Sequence, residues 1–289
     1  MKWPKRVARF ALDTLLILLA GSVCSAILFR FTPGSGVDAR ELQSGLSDSH
    51  IAELRAEREK ADSLTGQSVS YFIGVLRGDL GSSLASGAPV GPLVLDRLPR
   101  TAYTVLAGSS SGFIAGVLAA LVVVLLSRRR AVDLTANVAA LTLLSVPAGL
   151  LVLLAILSQI PLEVAVAAAV VPRAFLYASR LLQQQSRAAY VVNATAAGIS
   201  RFRIAVWHVL PAVRSEIAAI AGFCVVTALA ATIPAEVLSG TPGIGQLAWR
   251  SAMDRDLPVL LAVTMCMIVF ARAVTLISSV PVRDTRLAS

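Results

Sequence analysis

Few residues of this 289-residue chain could carry chemistry, and they lie far apart. The two histidines are His50, in a polar stretch without other metal ligands, and His208, in a basic amphipathic stretch. The three cysteines all fall in apolar stretches, without metal or redox spacing, at Cys24, Cys224 and Cys266. We therefore expect small buried cysteines, a contact or solvated role for His208, and no metal site.

The sequence also lacks residues that nucleophilic catalysis and nucleotide hydrolysis need. Residues 108–112 read GSSSG, but no histidine lies in an apolar stretch to activate a serine, which argues against an intramembrane hydrolase. The sequence contains no GxxxxGK[ST] phosphate loop, so any ATP chemistry must come from a partner. We expect a protein that is not itself an enzyme.

Arg173 lies near the middle of an apolar stretch, where charges are rare. Arg173 falls within 162–181, and a charge at the centre of a membrane helix costs about 2.5–3.5 kcal/mol on insertion scales. Arg173 either lines a translocation path or extends towards the membrane surface beside Arg180. Both interpretations require that this stretch spans a membrane.

The composition indicates such a membrane protein. The chain is 56% hydrophobic and 15% charged, and its mean hydropathy is +0.76. A spanning helix needs about 20 mostly apolar residues. Stretches that qualify predict an all-α membrane protein with six transmembrane helices, at 10–31, 102–127, 134–158, 162–181, 215–234 and 257–280. Basic residues precede the first stretch as in a signal peptide, but no small-residue cleavage site follows, so we expect an uncleaved helix.

The distribution of basic residues predicts the orientation. With six spans, the Lys/Arg clusters all fall on one side, at 2–9, 128–130, 180–214 and 283–286. The positive-inside rule makes that side cytoplasmic, with both termini inside and a long outer loop at about 32–100. The net charge of +9 therefore reflects the orientation of the chain in the membrane. The partner it indicates is membrane lipid and not nucleic acid. We expect a single transmembrane domain over 1–289.

The second apolar stretch carries a row of small residues. Gly108, Gly112 and Gly116 recur every four residues, with Ala120 next in the row. Such a face lets another membrane helix approach closely.

Residues 182–214, between the fourth and fifth stretches, contain the segment NATAAGISRFRIAVWHVLP. A first helix carries small residues for close packing against a partner, at Ala194, Ala196 and Ala197. Gly198 can adopt φ > 0 and end that helix. Ser200 is an N-cap candidate for a second helix.

The two predicted helices with Gly198 between them form an elbow, and the second of these helices is basic and amphipathic. It carries Arg201, Arg203 and His208, and it closes at Leu210 and Pro211. From the residues alone, the elbow fits either a docking surface for another protein or an interfacial helix on lipid headgroups.

The spacing in this segment resembles a known motif. Permeases of binding-protein-dependent ABC importers carry a cytoplasmic "EAA" loop, Glu-Ala-Ala-x3-Gly-x9-Ile-x-Leu-Pro. Gly198 is followed at the same spacing by Leu210-Pro211, and Ala194 holds the second Ala position. Two further segments, VLRGDLGSSLASGAPVGPLVLDRLPRTAYTVL and GTPGIGQLAWRSAMDRDLPVLLAVTM, resemble the dipeptide/oligopeptide (peptide/nickel) branch of that family.

This resemblance implies a type I ABC importer permease fold in a bacterial cytoplasmic (inner) membrane. The chain would form half of a translocation path for peptides or a similar small solute, and residues 190–211 would couple it to a cytoplasmic ATPase. The implied partners are a homologous second permease subunit, ATPase subunits that bind ATP and Mg, and an extracytoplasmic solute-binding protein. No cofactor is expected in this chain.

The sequence also departs from the family pattern. Val192 stands at the Glu position, His208 at the Ile position, and Ala197 where the peptide branch usually has a basic residue. These departures leave open another solute, such as a metal chelate or a short saccharide, and a non-transporting or weakly coupled membrane scaffold of the same fold. They also leave open whether the chain pairs with itself or with a different permease.

Overall fold

The structure is a computed structural model that describes residues 10, 12–17, 19–21, 79–126, 130–186 and 188–278. Helices dominate these ranges, and their only β pairing is a single antiparallel bridge between Ser82 and Pro89. Residues 10, 12–17 and 19–21 are helical. After them, in chain order, the helices are α1 Val90–Leu126, α2 Arg130–Ser145, α3 Ala148–Leu157, α4 Leu162–Ser186, α5 Ala189–Ala196, α6 Arg201–Ile204, α7 Leu210–Ala212, α8 Arg214–Ser239, α9 Ile244–Met253 and α10 Leu257–Ser278. A π-helical turn, Ala205–Val209, joins α6 to α7.

Several of these helices are long and apolar enough to cross a membrane. Within the described ranges they are α1, α4, α8 and α10, which makes four spans, or five if α2 and α3 count as one broken span. The prediction of an all-helical, multi-pass membrane protein is therefore confirmed. The first predicted stretch, 10–31, lies mostly outside the described residues, so the count of six spans stays a prediction.

The third predicted stretch, 134–158, is broken rather than continuous. α2 and α3 meet at an angle of 84°. Pro147 lies between them with φ −58° and ψ 136°, which is not helical. Proline has no N–H for the helical ladder, and it pushes the preceding residue, Val146, away from helical geometry. The prediction placed one helix over 134–158, whereas the structure has two helices that meet at this proline; that they form one span together stays a prediction.

The helix that follows the predicted outer loop begins earlier than predicted. α1 begins at Val90 and not near 102, and it contains Pro99. The segment 79–89 before it folds back on itself, because the Ser83 N–H donates to the Ala88 carbonyl oxygen at 2.8 Å and the Val90 N–H donates to the Gly81 carbonyl oxygen at 3.0 Å. The part of the predicted outer loop at 32–78 lies outside the described residues, and so do the N-terminal and C-terminal basic clusters.

The chain divides into two compact units, each described here by itself. Unit 1 comprises residues 1–99 and 246–272, and unit 2 comprises 100–245 and 273–289. Within unit 2, α4 packs against α2, α3 and α8. In its most apolar part α4 is 61% buried, against 28% for α1, α8 and α10. The central position of α4 places it between the broken span and the elbow.

Candidate functional site: a helical elbow at 188–213

The first limb of the elbow, α5, ends at a left-handed glycine. Gly198 has φ +76°, and Ala197 before it has φ −75° and ψ 6°. The Ile199 N–H donates to the Ala194 carbonyl oxygen, and the Gly198 N–H donates to the Thr195 carbonyl oxygen, both at 3.1 Å. These two bonds form a Schellman motif, the common way for a helix to end at glycine. Gly198 is the corner of the elbow because a residue with a Cβ rarely adopts this φ.

One side of this limb packs on the core of unit 2. Ala194, Val191 and Ile199 are half-buried against a hydrophobic cluster, which we call the elbow cluster. Its members are Ala120, Ala140, Phe175, Leu176, Ala178, Leu182, Ile204 and Val209. Ala196 and Ala197 are exposed. Of the three predicted contact alanines, the last two are therefore freely accessible to another molecule, whereas Ala194 is partly covered by the elbow cluster.

Tyr190 lies on the other side of α5. It is 38% exposed, and its hydroxyl donates to the Gln185 side-chain oxygen at 3.4 Å. Desolvation by partial burial raises the pKa of Tyr190 above its usual value. The phenol therefore stays uncharged at neutral pH and acts only as a hydrogen-bonding group.

The second limb begins where the sequence predicted. Ser200 precedes α6 in an extended conformation, with φ −63° and ψ 143°. The Ile204 N–H donates to the Ser200 carbonyl oxygen at 3.0 Å, but the Ser200 hydroxyl makes no capping bond. Ile204 is buried in the elbow cluster, which anchors this limb from its first turn.

The π-helical turn that follows has its cause in Pro211. The Leu210 N–H donates to the Ala205 carbonyl oxygen, five residues back, which is the π spacing. Pro211 has no N–H and cannot continue the regular ladder, so the widened turn lies directly before it. Ala205 and Val209 point inwards and are buried, whereas Leu210 is half-buried and Pro211 is exposed.

The outward side of the second limb is basic and aromatic. Five exposed side chains form what we call the elbow surface: Arg201, Phe202, Arg203, Trp207 and His208. Phe202 is 64% exposed and Trp207 is 73% exposed. Two large aromatic rings and two guanidinium groups on one short element are typical of a surface that docks another molecule. The surface holds no acid or nucleophile that would suggest catalysis.

A buried carboxylate that the sequence analysis missed lies near the other end of α8. Glu236 is 0% exposed. Its Oε1 accepts from the Thr101 hydroxyl at 2.7 Å, and its Oε2 accepts from the Gly245 N–H at 2.6 Å. The Ile244 N–H in turn donates to the Thr101 hydroxyl oxygen at 2.8 Å. These bonds compensate the burial of a charge and join α1 and α8 to the start of α9.

Glycines in the segment TPGIG let the backbone approach this carboxylate. A Cβ on Gly243 would lie 2.1 Å from the Glu236 carboxyl carbon, and a Cβ on Gly245 would lie 2.8 Å from the Ile233 carbonyl oxygen. The signal for Glu236 was present in the sequence, since a titratable residue inside a span is itself a functional indication. The predicted span stopped at 234, two residues short of it, whereas α8 continues to Ser239.

In unit 1, a second buried carboxylate joins two of the segments singled out above. Asp256, 3% exposed, lies at the start of α10. It accepts a short hydrogen bond from the Ser83 hydroxyl, and its oxygens lie 3.2 Å from the Leu84 nitrogen and 3.4 Å from the Ala85 nitrogen, which both donate to it. Residues 83–85, which follow the RGDLG motif in the chain, are thus joined to the DRDLP segment.

The glycine row of α1 already packs against another helix within unit 2. A Cβ on Gly108 would lie 2.6 Å from a Val166 methyl carbon, and a Cβ on Gly112 would lie 2.8 Å from the Ala167 carbonyl oxygen. On Gly116 it would lie 2.8 Å from the Val171 carbonyl oxygen. The helix that approaches this row is α4 of the same chain. The row therefore gives no support to pairing with a second permease subunit.

Arg173 lies midway along α4 and lines a cavity of about 160 Å³ at the break between α2 and α3. Its Nη1 donates to the Ala169 carbonyl oxygen at 3.0 Å. Among the described residues, no group of three or more His, Cys, Asp or Glu side chains is placed to hold a metal ion.

Comparison with known proteins identifies one family. The family model described as "Binding-protein-dependent transport system inner membrane component" matches residues 112–283, more than half of the chain. This region contains the elbow, Arg173, Glu236 and Asp256. No curated protein matches the chain.

Proposed function

The chain belongs to the family of binding-protein-dependent transport inner membrane components, and from that premise we propose that the elbow at 188–213 couples it to an ATPase. Members of this family are transport subunits and not enzymes. In the proposed complex, cytoplasmic ATPase subunits bind ATP and Mg, and this chain forms half of the translocation path. A homologous permease forms the other half, and an extracytoplasmic binding protein delivers the solute.

The elbow surface is the observation that carries the coupling proposal. Phe202 and Trp207 project from a segment whose opposite side is fixed to the elbow cluster. A rigid element with exposed aromatic and guanidinium groups can transmit a displacement from a bound partner to α4 and α8, which flank it in the chain. A flexible loop would absorb that displacement instead.

The proposed solute is a peptide or a similar small molecule. The contact of Ser83 with Asp256 supports this assignment, because it joins two segments by which the sequence resembles the peptide/nickel branch. We further propose that the membrane is the bacterial inner membrane, with both chain termini and the elbow in the cytoplasm. The exposed elbow surface and the basic clusters at 180–214 support that orientation.

Photo-crosslinking from two exposed tryptophans tests the coupling. A photoreactive phenylalanine analogue replaces either Trp207, 73% exposed in the elbow, or Trp249, 55% exposed in α9. The tagged chain is expressed together with its neighbouring genes, irradiated in membranes, and its adducts are identified by mass spectrometry. We expect position 207 to crosslink a protein that carries a GxxxxGK[ST] phosphate loop, and position 249 not to do so.

Two other outcomes would contradict the proposal. Adducts of position 207 with lipid alone would show that the elbow is an interfacial helix. A phosphate-loop protein crosslinked equally from both positions would show that the contact is not specific to the elbow.

A further inference from the structure

We infer that Arg173 and the cavity at the break between α2 and α3 form a binding site for a carboxylate group of the transported solute. The inference rests on the proposed function, because such a site matters only if the chain forms a translocation path. The juxtaposition that carries it is a guanidinium in the middle of a membrane-spanning helix, facing a cavity where the neighbouring span is broken.

The guanidinium has unused hydrogen-bonding capacity. Arginine carries five N–H donors, and among the described residues Arg173 makes one hydrogen bond, to the carbonyl oxygen of Ala169 on its own helix. No carboxylate of the described residues contacts it. By contrast, Arg100 pairs with Glu163 at 3.6 Å near the start of the same helix. A cation kept in a span, with no acidic partner among the residues that the structure describes, is suited to an anion that arrives from outside the chain.

The position of Arg173 also argues against extension to the membrane surface. It lies 11 residues after Leu162 and 13 residues before Ser186, the two ends of α4. At 1.5 Å per residue, it is therefore roughly 17–20 Å from either end. The bond to Ala169 holds the guanidinium beside its own helix, away from the basic end where Arg180 is exposed.

The cavity has a size and lining that fit a carboxylate. Its volume is about 160 Å³. A cavity of ~150 Å³ accommodates a benzene molecule, so a carboxylate with a short side chain fits. Leu144, Leu151 and Ala169 supply apolar wall, whereas Ser145 and Arg173 supply polar groups. A guanidinium next to apolar wall attracts a carboxylate more strongly than it does in water, because the local dielectric constant is lower, and this attraction offsets the cost of removing the two groups from water.

Protection from arginine modification tests the site without a transport assay. The full-length chain, with the subunits that co-purify, is placed in nanodiscs of zwitterionic lipid and treated with phenylglyoxal, with and without sodium benzoate. Modification of each arginine is followed by peptide mass spectrometry. We expect benzoate to slow the modification of Arg173 about threefold when its concentration is about twice the dissociation constant. The exposed Arg180, on the same helix, is the internal control and should not be protected.

A variant of the cavity wall makes the test specific. Ala148 lines the cavity, so A148F fills it and leaves Arg173 in place. We expect benzoate protection of Arg173 to disappear in this variant. In a second arm, the modification of Arg173 is measured without benzoate in nanodiscs that contain phosphatidylglycerol. This arm is needed because the anionic headgroup of that lipid could also bind the guanidinium.

Three results would overturn the inference. Arg173 is unreactive throughout, or it reacts without protection by benzoate, or only phosphatidylglycerol protects it. The last result would assign the site to lipid instead of solute. None of these results depends on coupling to an ATPase, so the proposed function can stand if the carboxylate site fails.

Discussion

At the scale of single residues, buried carboxylates organise the described parts of both units, and the sequence analysis identified neither. Arg173 was noticed because it interrupts an apolar run in the middle. Glu236 was missed because the apolar run thins out before it, and only the helix that continues to Ser239 places it inside a span. Asp256 was part of a recognised motif, but its bond to Ser83 joins positions 173 residues apart, which local patterns cannot reveal.

Glu236 gives a prediction at this scale. Glu236→Gln keeps the shape but replaces one acceptor oxygen with an NH₂ group, so either the Thr101 hydroxyl or the Gly245 N–H loses its acceptor. We expect a loss of about 1–3 kcal/mol of stability, seen as a lower melting midpoint of the purified protein in detergent. Glu216→Gln, an exposed glutamate on the same helix, is the matched control. Equal melting midpoints for the two variants would contradict the importance of the Glu236 bonds.

At the scale of elements, the apolar runs predicted the helices well and their interruptions poorly. Runs of about 20 apolar residues have few alternatives to a spanning helix, so α1, α4, α8 and α10 were foreseen. The 84° bend at Pro147 was not, because a proline in a span can be tolerated or can break it, as the surrounding contacts decide. The elbow was predicted from its glycine and serine, whose local backbone preferences are strong.

The contact between α1 and α4 gives a prediction for a pair of elements. A Cβ at Gly112 would lie 2.8 Å from both the Ala167 carbonyl oxygen and the Val170 Cβ, so Gly112→Ala must push the helices apart. We expect a loss of about 1–3 kcal/mol, measured as the melting midpoint in detergent.

Gly91→Ala is the control for that variant. Gly91 lies on the same helix, but a Cβ there would have no atom within 4 Å. Alanine should therefore be neutral or stabilise the helix by about 0.5–1 kcal/mol. If Gly112→Ala melts no earlier than Gly91→Ala, the close packing of the glycine row is not what holds α1 on α4.

At the scale of the whole molecule, the distribution of basic residues predicts the orientation in the membrane. Ser86, in the segment before α1, and Ser200, in the elbow, are both exposed. We expect single cysteines at these positions, in a background without Cys24, Cys224 and Cys266, to react with a membrane-impermeant maleimide from opposite sides. Ser86→Cys should react in intact spheroplasts, and Ser200→Cys only in inverted vesicles. Labelling of both positions from one side would contradict the orientation.

We propose that the elbow binds the ATPase, and substitution of Gly198 tests this proposal. Gly198→Val imposes a β-branched side chain at φ +76°, although a Cβ there would touch nothing within 4 Å, so its effect is purely conformational. Gly240→Val imposes the same strain at φ +67°, at the end of α8, also without a clash.

The measurement is the amount of ATPase subunit that co-purifies with each variant, relative to the unaltered chain and corrected for the amount inserted in the membrane. Strain of this kind costs about 1–3 kcal/mol, and each 1.4 kcal/mol weakens binding about tenfold. We expect about tenfold less ATPase subunit to co-purify with Gly198→Val than with the unaltered chain. The amount that co-purifies with Gly240→Val should not change. Full retention of the ATPase by Gly198→Val would show that the elbow does not bind the ATPase and would favour an elbow that rests on lipid.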